Sequence, residues 1–396
     1  MRQTWQEMAT IGATKAGGVT RLALSDADRQ ARDLLRRWCD QDGRPVKVDD
    51  LGNMYCGRLD AGEPPVLCGS HLDSVAQGGR FDGVLGVLAA LEVLRTIEGA
   101  GVATARPLGL LNFTNEEGAR FEPAMMASGV LAGALDTGKV LAAADRDGLK
   151  FGDELERIGY RGQAGNRLHG FAAYFELHIE QGPVLEAAAI PVGVVTGIQG
   201  IQWCDVAFSG QQSHAGATPM QMRRDPLAAA ARFTASVRDL AASGQQTAAT
   251  IGRLRVKPDV INVIPGRVEL GLDLRCPERE CLDELLERAR GLAEHLAMDE
   301  NVELEFDPFW RSQPTLFDAR LVGSVERHAQ ELGIPTMRLV SGPGHDSKHM
   351  ADLGPAAMIF VRTVRGRSHC EDEEARWEDC VAATQVLLGC VLEAAA

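Results

Sequence analysis

Apolar runs alternate with amphipathic helical patterns along most of this chain, the rhythm of a mainly parallel sheet covered by helices. Four of those runs end in clusters of chemically capable side chains. "PPVLCG" leads into Ser70-His71-Leu72-Asp73, and "PLGLLNF" leads through Thr114 and Asn115 into Glu116-Glu117. "FAAYFEL" leads into His178-Ile179-Glu180, and "AAMIFVRTV" into Arg367-Ser368-His369 after a short gap. In open α/β sheets ligands bind at the carboxyl ends of the strands, so four polar endings predict one shared crevice. Strand order is not readable from this pattern, but convergence is.

Between about Gly200 and Arg311 the rhythm changes. A strand pattern, "IQWCDVAFSG", precedes an alanine-rich helix over about Asp225 to Ala242. Two further strand patterns, "VINVIPG" and "VELGLDLRCP", are followed by the amphipathic helix "RECLDELLERARGLAEHLA" and the strand "NVELEFDPF". That β-α-β-β-α-β order is the split βαβ, ferredoxin-like arrangement, a small domain in its own right. It predicts a main domain formed from 1–199 and 312–396, interrupted by an inserted domain at 200–311. Residues 145–170 are polar enough to be surface loop and short helix.

Composition narrows the function classes. The 396 residues are 45% hydrophobic and 24% charged, enough for a large core and two domains. A formal net charge of -14 with no long basic block excludes nucleic acid and anionic membrane as expected partners. The first residues lack the apolar core of a signal peptide, and no window approaches the roughly 18 apolar residues of a membrane span. The expectation is a cytoplasmic protein. Nine cysteines without a Cys-x-x-Cys pair predict reduced, mostly structural thiols rather than a disulfide framework or thiolate zinc site.

The candidate chemistry is metal binding. His71, Asp82, Glu117, His178 and His369 mix imidazole and carboxylate, a donor set suited to Zn²⁺, Mn²⁺, Co²⁺ or Ni²⁺. Five ligands exceed the need of one catalytic ion. A second ion about 3.5–4 Å from the first, with one shared carboxylate, uses all five. Asp82, in the glycine-rich turn "GGRFDGVLG", is the expected bridge. Taken alone, Glu116-Glu117 also suits a helix N-terminus, where the dipole favours acidic residues. His169, His295, His328 and His349 are expected in ordinary surface roles.

"GSHLDSV", "GGRFDGVLGV", "NEEGARF", "ELHIEQGPVLE", "GQQSHAGATPM", "RRDPLAAAA", "VINVIPG" and "SGPGHDSKHM" resemble the signature segments of the M20-type metal-dependent amidohydrolases. The "HIEQG" segment resembles the subgroup of N-carbamoyl-L-amino acid hydrolases, β-ureidopropionases and allantoate amidohydrolases. The resemblance runs in family order from about residue 10 to 380. It implies a homodimer, a catalytic domain holding two divalent ions, zinc or manganese, and an inserted lid and dimerisation domain.

Carried over, the resemblance makes Asp82 the bridge, with Glu117 and His369 on one ion and His71 and His178 on the other. Glu116 matches the general base, and Asp73 the acid that orients the His71 imidazole. Gln181 resembles the amide that meets the ureido end of a substrate. His214, Asn262 and Arg275 resemble substrate-binding groups, His214 as oxyanion donor and Arg275 as carboxylate clamp, some of them arriving from a partner subunit. Three segments depart from the family pattern: Cys370-Glu371 after the last ligand, "ASGVLAG" at 127–133, and "GPGHDSKHM".

The implied reaction is hydrolysis of the ureido C–N bond of an N-carbamoyl-L-amino acid to ammonia, carbon dioxide and the free amino acid. Allantoate, N-carbamoyl-β-alanine or an N-acyl amino acid are alternative substrates for the same machinery. An inactive, metal-stabilised dimeric binding protein is the remote alternative, and a retained base at Glu116 argues against it.

Overall fold

A computed structural model describes residues 1–59, 62–242 and 246–396. The chain forms two compact units, Met1–Thr196 with Leu316–Ala396, and Gly197–Thr315.

The first unit is built on a mixed sheet whose centre is parallel. Leu108–Phe113, Val66–His71, Ala173–Ile179 and Ala356–Val361 are consecutive neighbours, and each pairs in parallel with the next. Antiparallel strands flank them, Met54–Cys56 on one side and Val192–Ile198 on the other. The four central strands are almost wholly buried. That is why they read as unbroken apolar runs rather than as alternation: both sheet faces are covered. Helices Val84–Gly99 and Trp377–Ala394 pack on this sheet and bury Val87, Leu88, Leu91, Val386 and Leu387. With neighbouring strands about 4.8 Å apart, parallel pairing puts all four carboxyl ends on one edge. The polar clusters that follow them therefore share a crevice.

The second unit is a four-stranded antiparallel sheet in the order Glu303–Ser312, Gly200–Ser209, Arg267–Cys276, Ala248–Lys257. Strand Arg267–Cys276 alternates half-buried and buried positions, so Val268, Leu270, Leu272 and Leu274 share one face. Helices Pro226–Ala242 and Arg279–Asp299 cover that face with Phe233, Val237, Leu282 and Leu285.

One expected strand moves. "VINVIPG" forms only the two-residue strand Val263–Ile264, which pairs with Ser213–His214. The sheet position belongs instead to Ala248–Lys257, "AATIGRLRVK", an edge strand with no fully buried residue. An edge strand buries too little for its apolar alternation to show in sequence. The thiols also depart from expectation. Cys276 and Cys281 form a disulfide with Cα atoms 6.0 Å apart, because the strand end and the first turn of the next helix meet there. The other seven cysteines are free, all buried except the half-buried Cys370. No helix among the described residues is long and apolar enough to cross a membrane.

Candidate metal centre

The strand edge gathers five expected ligands into two overlapping groups, His71–Asp82–His178 and Asp82–Glu117–His369. Asp82 belongs to both, and its two oxygens divide between them. Its Oδ1 lies 3.2 Å from His178 Nε2 and 3.6 Å from His71 Nε2. Its Oδ2 lies 3.5 Å from His369 Nε2, and Glu117 Oε2 lies 3.3 Å from the same nitrogen. A carboxylate with one oxygen on each side is the geometry a bridge requires.

The imidazoles are held so that Nε2 faces inward. His71 Nδ1 contacts the carbonyl of Asp73 at 2.9 Å, and His178 Nδ1 that of Ile179 at 2.9 Å. A carbonyl only accepts, so each Nδ1 carries a proton and each Nε2 is left facing the crevice as the nitrogen available to a metal. The Gly83 N–H, 3.2 Å from His178 Nε2, agrees with that tautomer. The buried atoms His71 Nε2 and Glu117 Oε1 have no hydrogen-bond partner among the described residues. One such lone-pair atom in each of the two groups is what a bound divalent cation would satisfy.

Electrostatics agree. Burial alone lowers His178, but Asp82 outweighs it and holds the imidazole up at about 9. The Glu117 carboxylate does the same for His369, also at about 9. Burial raises Asp82, yet His178, His71 and His369 together drive its carboxyl far below the usual range. His71, fully buried, is pushed down to about 4. Positive charge is thus favoured on both sides of Asp82, where a metal ion would replace these protons.

The adjacent carboxylates at 116–117 part company. Asn115 adopts a left-handed φ of 58°, and its amide donates to the Phe121 carbonyl at 2.9 Å. The turn sends Glu116 to 3.5 Å from His71 Nε2 while Glu117 faces His369. Burial pushes Glu116 well up, with Asp346, Glu117 and Asp82 adding to it. A carboxylate with raised proton affinity beside a metal crevice suits a group that accepts a proton and returns it.

Asp73 acts differently from the expectation. Its backbone carbonyl, not its side chain, orients His71. The carboxylate accepts the Glu116 and Glu117 N–H groups at 3.4 and 3.3 Å. The reason is steric economy: the carbonyl already occupies the Nδ1 position, so the side chain is free to anchor the neighbouring loop.

Gln181, at a left-handed φ of 60°, reaches the centre and donates from Nε2 to Asp82 Oδ2 at 2.7 Å. The remaining expected residues lie in the second unit. His214 is exposed, and its Nδ1 accepts the N–H groups of Gly216 and Ala217 at 3.1 Å each. Asn262 is beside it, its carbonyl accepting the Ala215 N–H at 3.0 Å. Arg275 is not with them. It pairs with Ile201 at one end of its strand, while Ser209, close in sequence to His214, pairs with Arg267 at the other, roughly 26 Å away. Its guanidinium donates to both oxygens of Asp273 at 3.0 Å.

Three residues of the centre were given no role by sequence reasoning. His345 is 1% exposed, with its ring 4.4 Å from that of His178 and its Nε2 3.0 Å from Ser341 Oγ. Ser368 and Glu373 bind the Asp82 turn. The available signals were the quoted "GHD" segment, which contains His345, and the nearness of Ser368 and Glu373 to His369. His349 is not a surface residue: its side chain is 12% exposed and packs inside. His328 is partly covered and pairs with Glu393 at 2.8 Å. His169 and His295 are exposed, as expected.

A parallel-centred sheet with paired groups that could hold metal ions at its carboxyl edge fits a metal-dependent hydrolase, and residues 67–393 match the peptidase family M20/M25/M40. The chain belongs to that family. It is 42% identical over 392 residues to the N-carbamoyl-L-amino-acid amidohydrolase of Rhizobium meliloti, covering 98% of this chain and 94% of the relative. It is 32% identical to the allantoate amidohydrolase of Bacillus subtilis, covering 92% and 90%. Among solved structures, an amidase of the hydantoinase/carbamoylase family from Burkholderia multivorans superposes with a TM-score of 0.95. Its identity is 43%, over 100% of this chain and 97% of that one.

Proposed function

We propose that this protein hydrolyses N-carbamoyl-L-amino acids to the free amino acid, carbon dioxide and ammonia, as a two-metal amidohydrolase. The observation that carries the reading is the divided Asp82 carboxylate with Glu116 beside it. The relatives' names supply the substrate class.

In this reading His71, His178 and Asp82 would hold one ion, and Glu117, His369 and Asp82 the other, zinc or manganese with cobalt and nickel as substitutes. When bound, such ions supply Lewis-acid polarisation of the ureido carbonyl and make water more acidic. Glu116 takes one proton from the attacking water and returns it to the leaving nitrogen. One water is consumed, and the carbamic acid left behind separates into carbon dioxide and ammonia. Gln181 meets the ureido end, which requires its amide to leave Asp82 Oδ2. Arg275 binds the substrate carboxylate through two parallel donors, exchanging Asp273 for it. His214 donates to the developing oxyanion, and Asn262 adds a further hydrogen bond.

The inserted unit is the lid and the dimerisation domain, so a homodimer brings some of these groups from the partner subunit. Allantoate is the second substrate reading, favoured by the Bacillus subtilis relative. The test is ammonia release from N-carbamoyl-L-amino acids, N-carbamoyl-β-alanine, allantoate and N-acyl amino acids with Zn²⁺, Mn²⁺, Co²⁺ and Ni²⁺ in turn. Turnover confined to allantoate selects the second reading. A folded, metal-loaded preparation inert on the whole panel overturns both.

A further inference from the structure

Glu373 lies four residues beyond His369, is 1% exposed, and is not among the grouped ligands. Its Oε1 accepts the backbone N–H groups of Phe81 at 3.0 Å and Asp82 at 3.1 Å, 292 and 291 residues away. Its Oε2 accepts the Ser368 hydroxyl at 2.7 Å, and that hydroxyl also stands 2.9 Å from Asp82 Oδ2. The turn is shaped around this carboxylate. A Cβ on Gly79 would stand 1.8 Å from Glu373 Oε1, so only glycine admits the contact.

We propose that Glu373 is a positioning residue that locks the Asp82 turn to the Ser368–His369 segment and so sets the ion affinity of the Glu117/His369 side. The inference rests on the two-ion reading above. Its selectivity follows from where each ligand is anchored. His71 and His178 are the buried residues of central strands, each fixed by a neighbouring carbonyl. His369 sits on a loop, at a left-handed φ of 56° and with a side chain 50% exposed. The Glu373 carboxylate ties this loop to the backbone of the Asp82 turn, alongside the direct contacts of Ser368 Oγ and Gln181 Nε2 with Asp82 Oδ2. Charge-assisted bonds to two backbone N–H groups and one hydroxyl make that link directional. Losing it loosens the His369 loop, which then keeps the Ser368 and Gln181 contacts, while the two strand histidines stay in place.

The test uses the full chain, stripped with chelator and titrated with Co²⁺ or Zn²⁺. Ion content is read by mass spectrometry, and Co²⁺ coordination by visible absorption. Wild type is expected to take up two ions. Glu373→Ala should bind the first ion normally and the second about 10–100-fold more weakly, the size of effect seen for outer partners of metal ligands. Excess metal should restore its kcat with KM unchanged. Glu373→Gln keeps an oxygen for the two N–H groups and should recover most of the second-ion affinity.

Far-ultraviolet circular dichroism and melting of the metal-free proteins control for folding. If Glu373→Ala does not fold, Ser368→Ala should show the same selective loss. Two ions bound at wild-type affinity in the folded variants, or equal weakening of both, overturns the inference. A wild type that never takes up two ions overturns the two-ion reading instead.

Discussion

Glu116 Oε2 stands 3.5 Å from His71 Nε2, close enough to touch water in the crevice and outside both groups of ligands. In the proposed mechanism this separates proton transfer from metal holding. Glu116→Gln, nearly the same shape, should retain the wild-type ion content and lose about 10²–10⁴-fold in kcat. Unchanged turnover removes Glu116 from the mechanism.

Its neighbour should fail in the other way. Glu117→Ala and His369→Ala each delete a proposed ligand from one side of Asp82. Each should bring ion content down toward one per chain, as read by mass spectrometry. Full content in both variants would place the second ion elsewhere.

Asp73 provides a split between stability and ligation. Asp73→Ala strands the buried N–H groups of Glu116 and Glu117, at a cost of about 1–3 kcal/mol each. The expected result is a lowered denaturant midpoint and impaired turnover, with Asp73→Asn milder. The His71–His178 side should keep its ion, since His71 is oriented by the carbonyl of residue 73. Loss of that ion in Asp73→Asn would show the carboxylate orienting His71 after all.

Gly83 tests the tightness of the bridge. It has a φ of 65°, and a Cβ there would stand 2.3 Å from His71 Cε1. Gly83→Ala must displace either the imidazole or the turn that carries Asp82. Weaker metal binding and a lower melting temperature are expected together, by titration and calorimetry. Normal affinity would mean the turn yields more readily than its contacts imply.

Arg275 and Asp273 form a two-bond pair that a substrate carboxylate would have to replace. Arg275→Lys keeps the charge but loses the parallel donors, so KM should rise about tenfold with a smaller change in kcat. An unaltered KM across N-carbamoyl substrates would assign the carboxylate clamp to another residue.

Much of the centre was legible because its chemistry sits on strong local patterns. His71, Glu116, Glu117 and His178 end or closely follow buried apolar strands, and parallel pairing of such strands leaves their carboxyl ends little choice but to converge. Asp82 was marked by its glycine-rich turn, and His369 by the strand before it. Edge strand Ala248–Lys257 carried no comparable signal, since its residues face solvent too often to alternate.

The amino-acid sequence by itself therefore determined the buried strands, the candidate ligand types that follow them and the change of pattern near residue 200. Tertiary structure alone decided the hydrogen-bond partners. Asp73 holds the Glu116–Glu117 loop rather than an imidazole, and Glu373 reaches back across the chain to the Asp82 turn. His345 packs its ring on His178 with no strand-end pattern to announce it. Periodicity reports which face of an element is buried. A polar side chain's partner depends on which distant backbone groups arrive beside it, and those meet only when the sheet and its loops have closed.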